Sequence, residues 1–414
     1  MRAGTTLMKS NSPSAGGYQS AHELNATRAA FSAGFALFLA VNVASAVDPS
    51  GLWNLRDLQE PPQVQWGERS NCVQALYYQG EPLNEKPTRV FAWLGRPEGK
   101  GPFPALVLVH GGGGKASPDW AEHWANRGYV AISMDLAGCG PAGPLPDGGP
   151  DQTDNTKFRQ FSEPYATNMW TYHAVADAIR AHSLLLSLPE VDKRRTGVTG
   201  NSWGGHLTCI IAGVDHRFKV AVPVYGCGFL HENSYWLNTL KAMPPECRER
   251  WVRCFDPSSY LPQVRCPILF LNGTTDFAYP MDSYKKSYSL VKSPRWISVQ
   301  IGLPHHHIWN FGEVLAFVDY ALKGDAPLPR ISEMRIRDGK ARATVRSDTG
   351  ISKAELCYTT DTGAWQQRKW QSRAFPAGNG KIFAPLPSER PLVCFISVTD
   401  GRGLMVSTQH EELR

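Results

Sequence analysis

Residues 200–204 read Gly-Asn-Ser-Trp-Gly, after the β-like run Arg195-Thr-Gly-Val-Thr and before a helix-like segment. This is the G-x-S-x-G pattern in the strand–turn–helix setting it requires. A serine held in so tight a turn needs small neighbours where backbone closes in, and Gly200, Gly204 and Gly205 supply them. Ser202 is therefore the candidate nucleophile.

Upstream, the apolar run Pro104-Ala-Leu-Val-Leu-Val ends in His110-Gly-Gly-Gly-Gly114. A nucleophilic serine that attacks an ester creates an oxyanion, and hydrogen-bond donors must already point at it. Glycines let backbone N–H groups come close, so Gly112, Gly113 and the Trp203 N–H are the candidate oxyanion hole. His110 is expected to brace the loop. A phosphate-binding loop is disfavoured because no Gly-Lys-Ser/Thr follows.

Downstream, Leu269-Phe-Leu-Asn-Gly-Thr-Thr-Asp276 is an apolar strand, a turn and an aspartate at its tip. Asp276 is the expected acid that orients a histidine. Asp282 competes but lies past Pro280, and Asp256 and Asp135 read as loop caps. After the next strand-like run comes Pro304-His305-His306-His307. His307 is the expected base, with His305 as the alternative. Three adjacent histidines rarely converge on one ion, so neither a metal nor another cofactor is expected.

The wider pattern alternates strands with helices. Continuous apolar runs at 104–109, 129–135, 218–225, 267–272 and 296–301 suit strands buried on both faces. A helix is predicted from Met169 to about Leu188, with others after the elbow and over 313–322. An α/β class follows, with a doubly wound, mostly parallel sheet. Residues 227–263 interrupt it with aromatics and are expected to form a cap-like insertion. Beyond the Pro-rich linker at 326–330, short alternating strands predict a small antiparallel β-sandwich over 330–414. The expected division is 1–46, 47–325 and 330–414.

The first segment reads as a leader. Arg28 precedes an apolar run that ends in Ala44-Ser-Ala46, which predicts export and cleavage after Ala46. The run is shorter than the ~20 residues of a membrane span. The formal charge of +6 is mild and forms no basic stripe, so nothing favours nucleic acid. Nine cysteines in 414 residues are too few for a disulfide scaffold. Cys357 with Cys394, and Cys247 with Cys254, are the plausible couples.

These stretches resemble the α/β-hydrolase superfamily, and within it exported esterases of the acetyl xylan esterase and dienelactone-hydrolase-like group. The matching segments are His110 to Gly114, Trp170-Thr-Tyr-His-Ala-Val-Ala-Asp, Thr199 to Gly205, Ala221 to Leu230 and Asn272 to Pro280. Dienelactone hydrolases use a cysteine where this chain has Ser202. The resembled esterases carry His-Gly-His where it has His305-His306-His307. The resemblance implies a serine hydrolase acting on a small-molecule or polysaccharide ester. A prolyl-oligopeptidase-type peptidase and a catalytically weak polysaccharide-binding protein are the other readings. The latter would use Tyr358, Trp365 and Trp370 as a sugar strip.

Overall fold

Buried apolar runs become the middle of one large sheet. The computed structural model describes residues 49–306 and 308–414. Nine strands form this sheet: β1 Val64–Ser70, β2 Val73–Gln79, β3 Arg89–Gly95, β4 Phe103–Val109, β5 Val130–Met134, β6 Val191–Asn201, β7 Val220–Val224, β8 Ile268–Gly273 and β9 Arg295–Gln300. Their spatial order is β1-β2-β3-β5-β4-β6-β7-β8-β9. From β5 to β9 every neighbouring pair is parallel, while β1, β2 and β3 add an antiparallel edge. Strands β5, β7 and β8 are buried along their whole length, as helices on both faces require.

β1 lies in a stretch where the sequence offers no period. Its residues are exposed almost throughout, so no apolar alternation marks it.

The principal helices are α1 Pro118–Ala125, α2 Trp170–Ser187, α3 Trp203–Val214, α4 Leu237–Ala242, α5 Pro245–Phe255, α6 Met281–Ser289 and α7 Gly312–Lys323. Helix α1 starts on Ser117, whose hydroxyl accepts from Trp120 N. Helix α2 is buried from Trp170 to Leu185, which explains why it is apolar on most of its circumference. Helices α4 and α5 lie in the predicted insertion, with Trp251 and Phe255 of α5 in the core.

The C-terminal strands are antiparallel. They comprise β10 Arg330–Ile331, β11 Arg335–Arg337, β12 Lys340–Arg346, β13 Ile351–Thr359, β14 Gln371–Ala374, β15 Gly380–Pro385, β16 Leu392–Asp400, β17 Met405–Ser407 and β18 Glu411–Leu413. One sheet orders β10-β12-β11 with β15 on β12, and the other orders β14-β13-β16-β17 with β18 on β16. They meet the large sheet at its β9 edge, where Val299 N donates to Ser407 Oγ at 3.0 Å. Met405 N donates to Glu313 Oε1 of α7 at 3.0 Å. Trp365 is buried against His410, and Trp370 packs on Phe395.

All nine cysteines are unpaired, which corrects both couples. Across β13 and β16, Cys357 faces Phe395 and Cys394 faces Tyr358. That one-residue offset turns the two thiols to opposite faces of the sheet. Cys247 and Cys254 sit two turns apart on α5, or roughly 10 Å at the helical rise. The predicted leader lies outside the described residues, and among those described no helix is long and apolar enough to cross a membrane.

Candidate active site

Ser202 stands where β6 turns into α3. Its backbone is at φ 57° and ψ −120°, in the left-handed region that a side chain rarely adopts. The strain is held from both sides: Ser202 N donates to Val224 O at 2.9 Å, and Ser202 O accepts from His206 N at 2.9 Å. A Cβ on Gly204 would lie 2.0 Å from Val109 O. The elbow therefore presses directly on the end of β4, and only glycine fits there.

The glycine loop after β4 is tied down at several points. His110 Nε2 accepts from Leu136 N at 2.9 Å, so Nδ1 carries the proton and donates to Gly111 O at 2.8 Å. This is the bracing role expected of it. Gln152, from the long loop before α2, grips the far side. Its Oε1 accepts from Gly113 N at 3.2 Å and its Nε2 donates to Gly114 O at 2.9 Å. The Gly113 N–H is thus engaged, whereas Gly112 lies against the Trp203 ring, where a Cβ would be 2.7 Å from Cδ1.

Asp276 follows β8 and is buried. Its Oδ1 accepts from Ala278 N at 2.9 Å and Tyr279 N at 2.8 Å. Its Oδ2 accepts from His305 Nδ1 at 2.7 Å. With Nδ1 donating, Nε2 is the ring's acceptor. The imidazole lies over Tyr225 with centroids 4.5 Å apart, and Phe277 closes its flank at 4.9 Å. The Tyr225 hydroxyl donates to Pro304 O at 2.9 Å, fixing the backbone beside the ring. Asn201, next to the nucleophile, donates its amide to Ile308 O and ties the elbow to the histidine loop.

His307, the expected base, falls outside the described residues. The histidine that meets Asp276 is His305, the alternative. Asp282 is turned away and accepts from Asn233 Nδ2 at 2.9 and 3.0 Å. Asp256 and Asp135 are loop caps: Asp256 takes Phe229 N, Leu230 N and Ser258 N, and Asp135 takes Ala137 N and Cys139 N.

Ser202 and His305 line one pocket of about 400 Å³, together with Gly112, Gly113, Trp203 and Tyr235. Trp236 and Phe277 add apolar wall, and Asp154 and Lys157 add charge. The Tyr279 phenol is pushed well above its ordinary pKa by burial, then by Cys227 and Asp276 nearby, and the Ser202 side chain opposes this. Tyr279 also lies parallel to His305, with centroids 6.3 Å apart. Among the described residues no group of His, Cys, Asp and Glu is arranged to hold a metal ion.

Gln152, Lys157 and Tyr279 were not singled out by sequence. The first two lie in a stretch rich in Gly, Pro and Asp. Only the tertiary fold brings it to the glycine loop.

Part of the chain is similar to known proteins. Residues 61–240 match the family described as acetyl xylan esterase (AXE1). The acetyl esterase Axe7A of Xylanibacter ruminicola is 23% identical over 228 residues, which are 50% of this chain and 50% of that protein. A Bacillus subtilis protein named uncharacterized peptidase YuxL is 25% identical over 219 residues, 49% of this chain and 31% of that one. The chain thus spans half or less of the length of these two curated relatives. An acetyl xylan esterase from Paenibacillus sp. R4 superposes with a TM-score of 0.55 at 22% identity, covering 66% of this chain and 94% of that one. The chain has the α/β-hydrolase fold, and over residues 61–240 its sequence resembles the acetyl xylan esterases.

Proposed function

We propose that the protein is an exported serine hydrolase that cleaves carboxylic esters through an acyl-enzyme, removing acyl groups from a carbohydrate or related natural ester. The observation that carries this reading is the buried Asp276–His305 hydrogen bond on the wall of the pocket that holds Ser202. Ser202 attacks the ester carbonyl and His305 Nε2 takes its proton. Asp276 holds the ring in the tautomer that leaves Nε2 free and stabilises the imidazolium. The N–H groups of Gly112 and Trp203 are the oxyanion donors, because that of Gly113 is engaged by Gln152. His305 then returns the proton to the leaving alcohol, and water hydrolyses the acyl-enzyme by the same path. Export is supported by the leader's basic residue, apolar run and Ala44-Ser-Ala46.

A peptidase reading has the Bacillus subtilis relative in its favour. The family match over residues 61–240 favours the ester. The test is Ser202→Ala assayed on 4-nitrophenyl acetate, acetylated xylan and a proline-containing peptide. Ester turnover should fall by at least ~10³-fold, with the loss in kcat. An acyl adduct on Ser202 should be trapped by rapid acid quench and mass spectrometry of the parent enzyme. Turnover within tenfold of the parent in folded Ser202→Ala would sink the assignment.

A further inference from the structure

Lys157 is a buried cation in the wall of the Ser202 pocket. Its side chain is 5% exposed. The ammonium sits between two indoles, 4.8 Å from the centroid of Trp203 and 5.0 Å from that of Trp170. Its carboxylate partner among the described residues is Asp154, at 3.6 Å with a side chain 51% exposed. That distance exceeds hydrogen-bond reach, and a solvated carboxylate neutralises a buried charge poorly. Burial accordingly pushes the Lys157 ammonium below its ordinary pKa, and Asp154 and Asp151 offset this only in part.

A cation withdrawn from water and offset only by a long pair to a half-exposed carboxylate is costly unless something further pairs with it. The indoles are already fixed without it. Trp170 Nε1 donates to Leu136 O at 2.6 Å. Trp203 packs on Phe158, His206 and Trp236. The two indoles thus have fixing contacts besides the ammonium, and Lys157 is among the residues that line the pocket holding Ser202.

We propose that Lys157 is a specificity-determining residue that pairs with a carboxylate on the substrate. The preferred ester then carries a second, acidic group near the scissile bond, on either its acyl or its alcohol side. The inference rests on the reading of Ser202 as nucleophile.

The test measures kcat/KM on two matched pairs with the full chain. On the acyl side, 4-nitrophenyl hydrogen succinate is set against 4-nitrophenyl butyrate. On the alcohol side, O-acetyl galacturonate is set against the same acetyl ester of methyl galactoside. At least one acidic ester should be favoured by about tenfold or more over its neutral partner, and the pair that responds identifies the side. Lys157→Met should bring that ratio to within about twofold of unity, and Lys157→Arg should keep part of it. If Lys157→Met does not fold, Lys157→Gln replaces it. A flat ratio for both pairs in the parent, or a preference that survives loss of the charge, overturns the proposal. Ser202→Ala separates the two levels. A flat ratio with Ser202-dependent hydrolysis removes only this inference, whereas hydrolysis that survives Ser202→Ala removes the nucleophile and this inference with it.

Discussion

Asp276 spends one carboxylate oxygen on the backbone and the other on His305: Oδ1 takes Ala278 N and Tyr279 N, while Oδ2 takes His305 Nδ1 at 2.7 Å. The carboxylate is thus locked before it meets the ring, and the ring is clamped by Tyr225 and Phe277. Members of such a unit fail together. His305→Ala should lower kcat on 4-nitrophenyl acetate about as far as Ser202→Ala, by at least ~10³-fold. His307→Ala should cost far less. Steady-state kinetics on the two folded variants decide between them, and the reverse ranking would hand the role to His307.

Gln152 binds Gly113 N and Gly114 O, the peptides next to the proposed oxyanion donor Gly112. Gln152→Ala should loosen that donor without deleting it. The expected loss in kcat is about 10- to 100-fold, below the 10²–10³ typical of removing a donor outright. KM should change little. Gln152→Glu keeps an acceptor for Gly113 N but loses the donor to Gly114 O and adds negative charge near a developing oxyanion, so its kcat should fall further. Equal kcat in all three proteins would free Gln152 of any positioning role.

The His173 ring on α2 is buried, and that burial lowers its pKa to about 4. The folded state resists a proton that the unfolded chain accepts near pH 6.5. Its contribution to stability is therefore whole above about pH 6.5 and is lost as pH falls toward 4, by up to about 3 kcal/mol. Asp177, whose carboxyl burial raises, acts in the opposite sense. The informative quantity is hence a difference between proteins. In urea titrations at pH 7 and pH 4.5, His173→Gln should lose less stability on acidification than the parent.

The elements legible in the sequence are those with local rules. Continuous apolar runs marked β4, β5, β7 and β8, and the elbow showed in its local pattern of glycines around Ser202, although what those glycines press on lies in β4 and around the end of β7. Asp276 was legible because an acid at a strand tip needs only its own strand. The choice of histidine was not, because a single residue separates His305 from His307, and the partners of His305, Asp276 with Phe277 and Tyr225, arrive from two other segments. The same holds for Gln152 and Lys157, whose partners lie in the glycine loop and on α2 and α3. Cys357 and Cys394 looked paired in one dimension, and a single step of register parted them.

The C-terminal strands cover the open edge of the large sheet at β9, through Ser407 on Val299 and the Met405 amide on Glu313. Arg402 also reaches back to Ala326 O and Pro327 O at 2.9 and 2.6 Å, fastening the linker. A chain ending at Gly324 would leave β9 as a bare edge, without the Ser407 contact to Val299 N and the Arg330 cover over Trp296. It should melt at a lower temperature and self-associate more readily, as read by circular dichroism and size-exclusion chromatography. Yet Ser202, Asp276, His305 and the residues lining their pocket all precede 306. Activity per folded molecule on 4-nitrophenyl acetate should therefore stay within about threefold of the full chain. If the C-terminal sheets grip a polymer, turnover of acetylated xylan by the same preparation should fall more steeply. Loss of the small-ester activity in a soluble, folded truncation would mean that these strands complete the active site rather than merely shelter its sheet.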